Sequence, residues 1–381
     1  MSEVLAAAAR ALGAAPEALG FDPRARRGEL ATKLARVADL LDARAADALR
    51  VRRAENLAWL TGGGDLLVHR EGAPIAEAIA TRDGVTVVTN GIEAARLEAE
   101  ELPPGVRVEV VDWYDPGARE RRMQGLLQGH ATLDDGGPDA IDLVEVRQPL
   151  LAVEQARMAA VGAAASHALT DVAGTLEPGG SERDVAAAVQ GALRAAAVDL
   201  PVVLVAGEGR FGHVRHPVPS DLPFGRVGLI VVCALRFGLV ASLSRAVSFG
   251  PAPERALEAL QRVWTVEAAM LAASRADVRT RAVLDAARAA YAAIGAPDAW
   301  TEHHQGGPAG YLPRDWLAVP DEGRPLLAGM PLAWNPSLPW AKSEDTFLLG
   351  AEGEPLRNLT WDPRWPHETV DDRPRATVRA L

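Results

Sequence analysis

Apolar residues at Leu30, Leu34, Val37, Leu40 and Leu41 recur every three to four positions, which predicts a helix within residues 27–50. Strand-like runs follow at Ala48, Leu49 and Val51 and through LAWLTGGGD, where Gly62, Gly63 and Gly64 end the run. IAEAIATRDGVTVVTN predicts two further strands with Asp83-Gly84 as their hairpin turn, IEAARLEAEEL a helix, and VEVVDWY another strand. The turn cluster Asp134-Asp135-Gly136-Gly137-Pro138 precedes the strand-like IDLVEV, which places a domain boundary near residue 150. A long helix is predicted from about Leu151 to Val172. Ser181, three residues before Asp184, opens another as a capping-box variant.

The strongest signal is RVGLIVVCALRFGLVASLSRAVSFG. Its two apolar runs around Arg236-Phe237-Gly238 predict adjacent strands of a central sheet joined by a tight connection. Helices over 253–275 and 277–294 follow, the second stopped by Gly295 with Pro297 beyond. The remainder, rich in Gly, Pro and Trp, reads as strands and shaped loops. The expected class is α/β, with one domain over residues 1–150 and a second over 151–381, and 381 residues with 48% hydrophobic content can bury a core in each.

Charge removes two classes of partner. Forty basic against fifty-one acidic residues give a net charge of −11 with no long basic run, so neither nucleic acid nor an anionic membrane is an expected partner. Cys233 is the single cysteine, which excludes an internal disulfide and a thiolate cluster; its neighbours Val231, Val232, Ala234 and Leu235 mark it as a buried hydrophobe. The start MSEVLAAAARALGA carries Glu3 and lacks a basic flank before a continuous apolar core, so it does not read as a signal peptide. No window has the charge-free length to span a bilayer, and the expected location is the cytoplasm.

Three polar clusters stand apart from the core patterns. The first is Arg210, His213, Arg215 and His216 in GEGRFGHVRHPVPSD, a loop bounded by Gly and Pro just before the strand pair. The second is Trp300, Glu302, His303, His304, Gln305, Gly306 and Gly307. Adjacent histidines on a strand point to opposite faces, so one is expected to face a cleft with the other behind it. The two glycines permit a left-handed turn or close approach to a ligand. The third, WNPSLPWAKSEDT, offers Asn335, Lys342, Ser343, Glu344 and Asp345 among Trp and Pro, the composition of a pocket rim. Each has a bland alternative: an exposed or structural histidine, a Gly-rich structural loop, a solvated turn. There is no HExxH and no Cys pair, and residues 226–249 contain no Asp or Glu. Hard divalent ions need several oxygen ligands, which that strand pair does not supply.

The order and wording of these clusters resemble the creatinase, Xaa-Pro aminopeptidase and methionine aminopeptidase (M24) superfamily. NLAWLTGG, EPGGSERDV, HPVPSD, Arg245, HHQGG, NPS and KSEDT carry the likeness. It implies a creatinase-type N-terminal α/β domain followed by a pita-bread domain, and a homodimer. It also implies where the family's two-metal ligands fall: on or near Val231 to Cys233, on Ser242, on His304 (or His303 with a one-residue shift), on Asn335, and on Glu344, the one late carboxylate kept. Creatinase in this superfamily works without metal through a loop histidine, which His216 matches, while a second family histidine falls on Tyr311, a hydrogen-bond donor.

The resemblance therefore implies catalytic roles for His216, His304 and Glu344. His213, Arg215, Arg245, His303, Tyr311 and Asn335 are expected to bind substrate, Arg245 and Arg215 by receiving a carboxylate. No metal and no cofactor are expected. The implied function is metal-independent, creatinase-like cleavage of a C–N bond in a small polar carboxylate, and the expected partner is a small polar molecule or short peptide. The alternatives are an Xaa-Pro aminopeptidase-like enzyme with a reduced metal site of His303, His304 and Glu344, and a ligand-binding protein without catalysis.

Overall fold

The protein is described by a computed structural model covering residues 2–69 and 72–381. The chain divides into two compact units, Met1–Gln148 and Pro149–Leu381.

In the first unit, Asp22 accepts hydrogen bonds from the amides of Arg24 and Ala25, with Pro23 at the first helical position. This starts the helix predicted within 27–50 at Pro23. The elements are α1 (Glu3–Ala11), α2 (Pro23–Ala43), β1 (Ala48–Val51), α3 (Ala54–Leu60), β2 (Ala76–Thr81), β3 (Gly84–Asn90), α4 (Ala94–Arg96), β4 (Arg107–Val111), α5 (Ala118–Leu127), β5 (Thr132–Asp134) and α6 (Val144–Arg147). The strands form one sheet in the order β4-β3-β2-β1-β5. β1/β2 and β2/β3 are antiparallel, and β3/β4 and β1/β5 parallel. Ala48, Ile79, Val88 and Met123 pack a core between the sheet and α5.

Two apolar runs that predict strands are helical here. In LAWL, Leu57, Trp59 and Leu60 are all buried, so the run shows no amphipathic period to read. Its helix is set from a distance: Asp135 accepts from the amides of Arg52 and Arg53 and from Asn56 Nδ2. In IDLVEV, Asp142 accepts from the amide of Val144 and turns the chain into α6. IEAARLEAEEL continues past α4 as a π-helical turn, Leu97–Glu101.

The second unit contains α7 (Ala152–Ala173), α8 (Glu182–Ala195), β6 (Asp199–Ala206), α9 (Glu208–Phe211), β7 (Val227–Arg236), β8 (Leu239–Ser248), α10 (Glu254–Ala273) and α11 (Thr280–Ala293). Then come β9 (Gly306–Pro308), β10 (Pro331–Trp334), β11 (Ser337–Leu338), β12 (Ala341–Lys342), β13 (Asp345–Leu348), β14 (Arg357–Asn358), β15 (His367–Val370), β16 (Arg373–Ala376) and β17 (Arg379–Ala380). The larger sheet runs β17-β8-β7-β6, with β6, β7 and β8 antiparallel in sequence and β17 parallel to β8. Phe237 and Gly238 form the turn between β7 and β8 with φ of 54° and 73°, the left-handed pair that matches strand twist in a two-residue hairpin. Ser181 and Asp184 cap α8 reciprocally. A second antiparallel sheet, β14-β13-β10-β9, adjoins the second and third polar segments, while Lys342 lies on β12, which pairs with β11. Among the described residues no helix is long and apolar enough to cross a membrane.

Candidate active site

A cavity of about 580 Å³ opens in the second unit. β6 and β7 supply an apolar wall of Val202, Leu204 and Val231 together with the Cys233 thiol; Leu312, Pro313 and Leu317 close another side. His216, His304, Arg314, Asn335, Lys342 and Glu344 supply the polar groups.

His216 sits on a loop braced by one buried carboxylate. Glu182, the first residue of α8, accepts from the Gly207 amide (2.9 Å), the Ser220 amide (3.1 Å) and the Ser220 hydroxyl (2.6 Å), and pairs with Arg210. Both ends of the segment carrying His216 are thus tied to one point, and Arg215 is engaged by Glu302. His213 is exposed. Neither it nor Arg215 lines the cavity.

His303 and His304 lie in a loop between a 3₁₀ turn (Ala299–Thr301) and β9, outside any strand. The opposite-face rule for strands therefore does not apply, and both rings approach His216, with ring centroids 4.8 and 5.8 Å from it. Gln305 shapes the loop by donating to the carbonyls of Trp300 (3.1 Å) and His303 (2.6 Å). Tyr291 fixes Gln305 in turn, donating to its Oε1 at 3.0 Å and accepting from the Ser337 amide at 3.0 Å.

The two glycines that follow allow close approach of the chain's own backbone. A Cβ on Gly306, at φ +92°, would lie 2.2 Å from the Ala333 carbonyl oxygen, and one on Gly307 2.0 Å from that of Trp316. β9 is wedged between these backbones, and this fixes where the histidines leave it.

The imidazoles are linked. His303 Nδ1 lies 2.5 Å from the His304 carbonyl oxygen, which can only accept, so Nδ1 carries the proton and Nε2 the lone pair. That lone pair faces His216 Nε2 at 3.0 Å, so His216 donates through Nε2 and keeps its basic lone pair on Nδ1. Burial, aided by the Lys342 charge and the neighbouring rings, pushes His303 down to about 3. Burial, then Arg314 and Lys342, pushes His304 down to about 4. His216 is lowered by burial and Lys342 against a smaller opposing pull from Glu344. At neutral pH His303 and His304 are uncharged.

Glu344 is the one carboxylate in the cavity lining. Arg314 donates to its Oε1 at 2.7 Å, and the Lys342 ammonium stands 2.9 Å from Oε2. Burial would raise this acid; the two cations outweigh burial and hold it at about 2. Arg314 also donates to Ser242 Oγ at 3.1 Å, and Ser242 to Cys233 Sγ at 3.4 Å. The Cys233 thiol is pushed up by burial first and then by Glu344, and is neutral.

Several expected roles change. Arg245 lies outside the cavity lining: strand alternation on β8 turns it away from Ser242 and Ser244, and it bonds Asp345 Oδ1 (2.9 Å) and the Thr360 carbonyl (2.8 Å). Tyr311 is buried and donates to Glu154 at 2.5 Å, outside the cavity lining. Glu344 pairs with the two cations Arg314 and Lys342. Asn335 does line the cavity, with a buried Oδ1 that has no partner. The sequence reading missed Arg314, in the loop between β9 and β10; it belongs to none of the three clusters, and only its contact with Glu344 reveals it.

The chain belongs to metallopeptidase family M24, whose model matches residues 156–352. No curated protein matches the sequence. The fold is shared with a dipeptidase, PepE, from Mycobacterium ulcerans (20% identity, TM-score 0.72, covering 95% of this chain and 100% of that one). It is shared equally with an Xaa-Pro dipeptidase from Bacillus anthracis (14%, TM-score 0.74, 92% and 100%). The N-terminal domain of the FACT complex subunit SPT16 from chickpea is also similar (13%, TM-score 0.61, 88% and 96%). The architecture is thus an N-terminal domain followed by a pita-bread domain.

The two-metal centre that the superfamily resemblance implies needs several carboxylate ligands. The cavity presents Val231, Cys233 and Asn335, with Ser242 just behind them, and a single carboxylate already held by two cations. This donor set does not fit such a centre.

Proposed function

We propose that this M24 protein cleaves a C–N bond of a small polar carboxylate without metal, with His216 as acid and base. The observation that carries this reading is the His216–His303 pair, in which a neighbour locked in one tautomer fixes the proton on His216 Nε2. His216 Nδ1 takes a proton from water as its oxygen bonds the carbonyl or amidine carbon. It returns that proton to the leaving nitrogen as the C–N bond breaks. His304, half-buried with Nδ1 unpartnered, is available to polarise the reacting carbonyl.

A second reading is a mononuclear metal held by His216, His303 and His304, favoured by ligand atoms that all lie within 4.8 Å of one another. Glu344 drops out of that set because Arg314 and Lys342 hold it. The same cations oppose it, since Lys342 already disfavours positive charge on all three rings. The neighbours' dipeptidase names also make a short peptide a candidate substrate. The protein is taken as a cytoplasmic homodimer, and its net charge of −11 supports the lack of nucleic-acid and anionic-membrane partners.

The test is amine release from a panel of N-substituted small carboxylates in the presence of chelator. A general base works only when neutral, and His216 is depressed. Turnover is expected to persist and to rise with pH along an acid limb centred below the ordinary imidazole value of about 6.5. Loss of all turnover on chelation, or an acid limb above that value, would count against the proposal.

A further inference from the structure

We propose that the cavity selects a singly charged carboxylate with an aliphatic body and no free ammonium, such as an N-acyl or N-carbamoyl aliphatic amino acid, with Arg314 and Lys342 receiving the carboxylate. This rests on the reading of the cavity as a C–N-cleaving site and names its substrate class. The fixed charges in the lining are Arg314, Lys342 and Glu344, two positive and one negative. All three side chains are at most 9% exposed. Buried charge is tolerated when it is matched, and here one carboxylate serves two cations. Lys342 has three ammonium donors, and Glu344 is its one ion-pair partner. An entering monoanion completes the neutralisation, whereas a second negative charge overshoots it.

The same excess repels an ammonium. A dipeptide with a free amino terminus would bring its cation into a chamber that already holds an unmatched one, so a blocked nitrogen is preferred over the substrate an aminopeptidase takes. Beside His216, His304 and Asn335, the wall is largely aliphatic, with Val202, Leu204, Val231, Leu312 and Leu317 offering a non-polar body its matching surface. A blocked amino acid also carries the bond at issue: water adds to the acyl or carbamoyl carbon, the C–N bond breaks, and the amine leaves with the proton returned by His216.

The test is isothermal titration of His216→Asn protein, which keeps the cations and removes the proposed base, with N-acetyl-L-leucine, N-acetyl-L-leucinamide, N-acetyl-L-aspartate and L-leucyl-L-proline. N-acetyl-L-leucine is expected to bind at least about tenfold more tightly than each of the others, as for hydrogen bonds to charged groups. Lys342→Met is expected to abolish the preference and Lys342→Arg to keep most of it. Equal affinity for acid and amide, tighter binding of the dipeptide, or no binding of any of the four overturns the proposal. Selective binding of N-acetyl-L-leucine without turnover by the native protein would retain the anion site and refute only the catalytic reading.

Discussion

Glu344→Gln is expected to destabilise the protein by about 3–5 kcal/mol, the range for removing one partner of a buried ion pair. The side chain is 3% exposed and faces Arg314 at 2.7 Å and Lys342 at 2.9 Å. Gln keeps the shape and removes the one negative charge between two desolvated cations, leaving them to repel each other across a low-dielectric cavity. In thermal unfolding the midpoint should fall by roughly 6–20 °C for a domain of this size. Adding Lys342→Met to Glu344→Gln should recover part of that loss, since the pair couples through charge and the two effects are not additive. A midpoint within about 2 °C of wild type would mean that the cations are solvated and the cavity is not a charged chamber.

His216→Asn is the substitution with the largest expected effect on rate. Removing a positioned acid–base group lowers kcat by about 10²–10⁴-fold. The residue is exposed and its one polar partner is His303, so folding should be unaffected and KM should move little. Steady-state kinetics on whichever substrate the panel identifies, beside a melting curve, separates the two effects. A kcat within about tenfold of wild type would remove His216 from the chemistry.

Fold and site were legible to different depths for physical reasons. The β7–β8 hairpin reads directly because two largely apolar strands of ten residues flank a turn and local pairing is all it needs. The α8 start reads equally well, since Ser181 and Asp184 act on each other three residues apart. LAWL failed because its cap, Asp135, lies about eighty residues downstream and nothing within the run says helix. β6 and α5 carried no reading: the first has a Pro within it, and the second buries only Met123.

In the site, the histidines and Glu344 stood out as polar residues in Gly/Pro-bounded segments. Their partnership did not. The opposite-face argument assumed a strand where a loop lets both rings converge. Strand parity turns Arg245 away from the cavity lining, whereas Arg314 reaches Ser242 across 72 residues and Glu344 across 30. Contacts of that span are set by the packed sheets and are invisible to local pattern.

Metal-free chemistry at His216 is tested by the metal content of protein purified without chelator or added metal, by elemental mass spectrometry normalised to protein concentration. Metal-free catalysis requires Zn, Mn, Co and Fe well below one ion per chain, with no rise to stoichiometry after incubation with those ions. Near-stoichiometric metal that stays through desalting would contradict it and return His216, His303 and His304 to the role of ligands.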